Sequence, residues 1–98
     1  MNTNLIPLCP GDVLRELYLT PLGMSAGSLA RKLHVPRTRI ERIVKGQTAL
    51  TPDTALRLAK FFNTTAEYWM NMQAAHDLHE QAPRLADELA AIDRFEAA

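Results

Sequence analysis

Residues 25–46, SAGSLARKLHVPRTRIERIVKG, decide the fold. Their apolar positions recur at helical spacing in two short runs, Leu29, Ala30 and Leu33 in the first and Ile40, Ile43 and Val44 in the second, with no strand-like alternation. Ser25 supplies the side-chain oxygen that a helix N-cap needs. His34-Val35 leaves room only for a tight connection. Pro36 suits the first turn of the second helix, where a missing N–H costs nothing, and Gly46 readily takes the left-handed conformation that ends a helix. Two short helices joined by a turn of about three or four residues form a helix-turn-helix layout. On a wheel of ~100° per residue, Ile43 and Val44 lie on the Ile40 side of the second helix. Thr38, Arg42 and Lys45 fall opposite, and Arg37 and Arg39 occupy the shoulders.

Charge singles out the same stretch. The 98 residues hold 11 Lys+Arg and 11 Asp+Glu, but residues 25–50 carry six cations against Glu41 alone. Residues 65–98 reverse this, with seven acids against Arg84 and Arg94. A clustered cationic segment is the electrostatic footprint of a phosphate-binding surface. Arginine forks and a threonine hydroxyl on an exposed helix face can reach guanine O6/N7, a thymine methyl or a phosphate in the major groove of DNA. The competing reading is a solvated basic face whose arginines pair with Glu41.

Helical spacing continues outward in both directions. Pro10-Gly11-Asp12 opens a first helix with Val13, Leu14 and Leu17 on its inner face, ended by Pro21 and Gly23. Thr51-Pro52-Asp53 starts a fourth, with Ala55, Leu56, Leu58, Ala59 and Phe62 as its apolar surface. Thr64-Thr65-Ala66-Glu67 reads as a capping box opening a fifth helix that carries Tyr68, Trp69, Met72, Ala75 and Leu78 toward Gln81 and is broken by Pro83. A last helix over 84–96 bears Leu85, Leu89, Ile92 and Phe95, a stripe fit to pack on the domain or on a second subunit, with an acidic outer side suited to a basic partner. The expectation is an all-α chain of five helices plus a sixth. Residues 1–9 are expected to form a tail, 10–81 the DNA-binding domain and 82–98 a C-terminal helix.

Other classes fit poorly. No run of about 18 apolar residues provides a membrane span, and MNTNLIPLC has no basic residue for a signal peptide, so a cytoplasmic protein with no membrane partner is expected. The single Cys9 makes neither an internal disulfide nor a CxxC clip and has no neighbour to activate it. His76 and His79, beside Asp77 and Glu80, have a spacing compatible with a metal, but no Cys or third His joins them and the HExxH order is missing. Tyr68 and Trp69 are better suited to core or dimer packing than to ligand stacking. No catalytic residue, metal or cofactor is expected, because no nucleophile–base set, carboxylate pair or phosphate loop is visible.

Residues 25–40 resemble the helix-turn-helix of phage-repressor and Cro-like regulators, and residues 50–62 resemble the helix that follows it in one branch of them. Tyr68-Trp69-Met70-Asn71-Met72-Gln73-Ala74-Ala75-His76-Asp77-Leu78 resembles the Trp-x-Asn-(Leu/Met)-Gln-x-x-x-Asp-Leu signature of HigA-type antitoxins, to whose pattern Pro10-Gly11-Asp12 also belongs. The resemblance covers about residues 10–81. It implies a lambda-repressor-like fold in a homodimer that binds double-stranded operator DNA as an autorepressor and neutralises a HigB-type toxin, an mRNA-cleaving ribonuclease. It places base reading on Arg37, Thr38 and Arg42, Arg39 near phosphate or a neighbouring base, and phosphate contacts on Ser25 and Ser28. Lys45, on the same exposed face, is expected to join Arg39 in steadying the phosphate backbone. Two positions depart from the pattern: Ala26 stands for the usual Gln after the cap, and His34 for the usual Gly that closes the helix. They motivate an alternative, a toxin-capping module with weak or no DNA binding; a stand-alone Cro-like regulator without a toxin is a third reading.

Overall fold

Ser25, Thr51 and Thr65 each accept a hydrogen bond from the backbone N–H three residues on, and each opens a helix of this computed structural model, which describes residues 8–96. The expected N-terminal tail lies outside the described residues except for Leu8 and Cys9. Six helices follow in order. Helix α1 (residues 10–22) joins Pro10–Val13, a π-helical stretch Leu14–Leu19 and Thr20–Leu22; α2 is Ala26–Leu33, α3 Arg37–Val44, α4 Pro52–Phe62, α5 Ala66–Arg84 and α6 Ala86–Ala90. No strand occurs among the described residues, and the architecture is all-α. Four of the helices end alike. Gly23, His34, Gly46 and Asn63 take left-handed φ between 56° and 71°. The next N–H in each case bonds back five residues, to Leu19, Ala30, Arg42 and Ala59.

The core gathers on α2 and α3, which pack against each other, with α1 laid on α3 and α5 on α4 and α1. Leu14, Leu29, Ile40, Leu58 and Trp69 are wholly buried at its centre. The indole of Trp69 donates to Thr64 Oγ1 at 2.9 Å, so the one polar atom on the largest core residue is satisfied. Tyr18 packs between Phe62 and Trp69, ring centroids 4.6 and 5.2 Å away, and its hydroxyl donates to the Tyr68 hydroxyl at 3.2 Å. Burial, reinforced by that bond, pushes the Tyr18 phenol up to about 12.

Several expectations are corrected. Leu17 is 61% exposed because the π-helical stretch rotates the chain: bonding to the fifth residue on brings Leu19, not Leu17, back beneath Leu14. Leu56 is 63% exposed, since it lies about 200° around α4 from Leu58 and only the Leu58 side is covered. Pro36 occupies the N-cap of α3 rather than its first turn. Thr65, not Thr64, caps α5; with Thr64 turned to Trp69, the capping box to Glu67 does not form. Helix α5 continues through Pro83 to Arg84, because a proline in the last turn forfeits a single bond and Leu85 N–H bonds again to Gln81 at 3.1 Å. Of the apolar set of α5, Trp69 is buried and Met72 half-buried, while Tyr68, Ala75 and Leu78 are exposed. The last helix spans only Ala86–Ala90, and Leu85, Leu89, Ile92 and Phe95 all face solvent, Phe95 at 89%. The stripe does not pack on its own domain, and a helix without a packed face stays short.

Candidate nucleic-acid interface

Helix α3 presents its basic side because Ile40 and Ile43 are pulled into the core and Val44 halfway. Thr38, Arg42 and Lys45 are exposed, and among the described residues their side chains make no hydrogen bond or ion pair. Arg37 is also free to reach outward. Its Nε lies 3.5 Å from Glu41 Oε2, but the side chain remains 71% exposed, and a surface pair at that distance holds it weakly. The stem of Arg37 runs over Gly27, where a Cβ would come within 3.0 Å of Arg37 Cδ. Ser25 caps α2, its hydroxyl accepting from Ser28 N–H at 3.0 Å, so both serines sit at the amide-rich end of that helix. His34 adopts φ 61° and ψ 46°, the left-handed state a glycine would take, and the turn closes through Val35 N–H to Ala30 C=O at 3.0 Å. The departure at His34 therefore leaves the turn geometry intact.

Arg39 is the exception on this face. Its Nη1 donates to Asp53 Oδ1 at 2.8 Å, and Arg57 Nε donates to the same oxygen at 2.8 Å. Arg57 Nη1 goes on to the Leu33 carbonyl at 2.8 Å. The hydrogen bond from Arg57, with that from Arg39 behind it, holds the Asp53 carboxyl below the usual carboxylate range. At the other end of α3, Arg15 Nη1 donates to the Val44 carbonyl at 3.0 Å while its remaining N–H groups bond Asp12 and Glu16. The bond to Glu16 leads in raising the Arg15 pKa above its ordinary value. Each helix of the pair thus has a late carbonyl capped by an arginine from outside the motif, a favourable placement for a cation.

Two further supports lie beyond the motif. Gly11 abuts the end of α3, where a methyl group would overlap the Ile43 carbonyl oxygen. Gln73, buried on α5, accepts from Leu50 N–H at 2.8 Å and donates to Asp77 at 2.9 Å, fixing the segment that leads into α4. Sequence reasoning missed the roles of Gly11, Arg15, Asp53, Arg57 and Gln73. The four-residue spacing of Asp53 and Arg57 was a usable signal, but the link to Arg39 crosses fourteen residues and has no local signature. His76 Nδ1 is buried with no hydrogen bond, 3.5 Å from Asp77 Oδ1. Among the described residues no three His, Cys, Asp or Glu converge as a metal site, and no helix is long and apolar enough to cross a membrane.

Residues 14–69, which include both helices of the motif, match the helix-turn-helix family. The antitoxin HigA-1 of Vibrio cholerae serotype O1 is 32% identical over 82 residues, 84% of this chain and 77% of its own length. The chain belongs to the HigA family of helix-turn-helix antitoxins. The fold agrees: the antitoxin GraA in complex with its operator superposes with a TM-score of 0.88 at 34% identity, covering 99% of each chain. Virulence-associated protein I of Dichelobacter nodosus is 54% identical over 69 residues, 70% of this chain; the match spans 64% of that relative's length. These relatives of the HigA-family chain are named as antitoxins or virulence-associated proteins, not as enzymes.

Proposed function

We propose that this HigA-family chain is a dimeric, operator-binding autorepressor that also neutralises a HigB-type mRNA-cleaving toxin. The observation that carries the DNA-binding half is the outward face of α3: Thr38, Arg42 and Lys45 unpaired among the described residues and Arg37 almost so, on a helix whose underside is locked into the core. In this reading Arg37, Thr38 and Arg42 read base edges in the major groove, and Ser25, Ser28, Arg39 and Lys45 steady the phosphate backbone. The domain doing this work is residues 10–81. GraA bound to its operator supports the same docking for a near-superposable chain.

The exposed Leu85, Leu89, Ile92 and Phe95 support dimerisation, because apolar side chains left unburied in one chain gain from a second. Two copies would set recognition helices about one DNA turn, ~34–36 Å, apart. The toxin-neutralising half rests on the Trp69–Leu78 signature and on the antitoxin relatives. The decisive test is binding to the promoter upstream of the chain's own gene. Arg42→Ala is expected to weaken operator binding by ~1–3 kcal/mol and relax discrimination at one base pair. Equal binding by parent and variant overturns the assignment of the reading face. Co-purification with a small basic ribonuclease, and recovery of its activity once the complex is dissociated, tests the antitoxin half.

A further inference from the structure

Asp53 is out of place on a surface meant for phosphate. It is 57% exposed, one residue into α4, and its carboxylate sits against the basic face of α3. A negative charge there repels every phosphate that approaches and lowers affinity for all sequences alike. Its geometry shows what the charge secures. A single oxygen, Oδ1, accepts from Arg39 of α3 and Arg57 of α4, and Arg57 ends on the last carbonyl of α2. One carboxylate thereby joins three helices and anchors one guanidinium of the recognition helix, whereas Arg37 beside it has only a long contact to Glu41.

We propose that Asp53 is a specificity-determining positioning residue, which holds Arg39 in one orientation so that it engages the operator only in the correct register, at a cost in affinity for every duplex. Arginine is suited to such a clamp: Asp53 takes one of its five N–H donors and leaves the rest, in a rigid plane, for the nucleic acid. A freely swinging Arg39 would instead find the nearest phosphate on any duplex and add affinity without discrimination. Negative charge that costs general affinity while sharpening choice is a recurrent device for specificity.

The inference rests on α3 being the DNA-reading helix, and the experiment separates the two claims. Full-length protein is titrated by fluorescence anisotropy against a duplex from its own promoter and against a scrambled duplex of the same composition, across a salt series. For Asp53→Asn, which keeps the shape and removes the charge, we expect tighter binding to the scrambled duplex and a fall of about tenfold in the ratio of specific to non-specific affinity. The salt slope on the scrambled duplex should steepen by ~0.9 for each phosphate that a released Arg39 newly meets. Asp53→Glu should restore part of the ratio, and on an Arg39→Ala background Asp53→Asn should no longer lower it. A carboxylate that merely favours the start of α4 would move the melting temperature and leave ratio and slope alone; that result overturns the proposal. A parent protein that does not distinguish the two duplexes refutes the DNA-reading assignment itself.

Discussion

Replacing Gln73 with Met tests how the body of the protein holds the segment that leads into α4. The side chains are close in length and volume, so packing is conserved, but methionine offers the Leu50 N–H only a weak sulfur acceptor. That N–H is donated at 2.8 Å to Gln73 Oε1 in a buried setting. A buried donor left without its partner costs ~1–3 kcal/mol, whereas the bond from Gln73 Nε2 to exposed Asp77 adds only a few tenths. Taking about 2 kcal/mol, and ~4–8 °C per kcal/mol for a domain of this size, the melting temperature should fall by roughly 8–16 °C. Native-state hydrogen exchange supplies the site-specific readout: the Leu50 amide should lose protection more than the amides of α2. A Gln73→Met protein that melts within about 2 °C of the parent and keeps Leu50 protected would show that the hydrogen bond carries no such weight.

Three other perturbations have definite outcomes. Gly11→Ala places a methyl group on the Ile43 carbonyl oxygen and should lower stability by about 3 kcal/mol in urea unfolding, since two backbones must separate. His34→Gly relieves a left-handed residue at φ 61°; after the entropy of an added glycine is counted, a gain of roughly 0.5–1 kcal/mol is expected, read from the same denaturation midpoint. Tyr18 holds its proton up to about 12 in the folded chain against about 10 when unfolded, so its contribution is complete below pH ~10 and is lost as pH rises through the folded value. Tyrosinate absorbance should follow that loss, and Tyr68→Phe should bring the Tyr18 midpoint only part-way down, because burial is the larger cause.

The helix-turn-helix pair was legible because its determinants are local. The spacing of Leu29, Ala30, Leu33, Ile40 and Ile43, the Ser25 cap and the Gly46 terminator all act within a few residues of where they stand. The exposed cations of α3 followed from the same wheel. What escaped was whatever depends on a neighbour distant in sequence or on a change of helical pitch. The π-helical stretch carries no composition signal, so Leu17 was placed on the wrong side. Asp53 reads locally as an acid in a first turn, and only the folded chain brings it to Arg39. The stripe from Leu85 to Phe95 has the right period for a longer helix, but no described residue covers it.

The arginines that cap the recognition pair have a consequence for engineering. Arg15 comes from α1 and Arg57 from α4, and they grip Val44 and Leu33, near or at the trailing ends of the two motif helices. The exposed basic face of α3 therefore inherits its tilt from parts of the chain that lie outside residues 25–46. Transplanting that segment alone into another scaffold would carry the exposed basic side chains of α3 without the hinges that aim them. A working graft would have to bring both guanidinium props, and the Asp53 that ties Arg57 to Arg39, along with the motif.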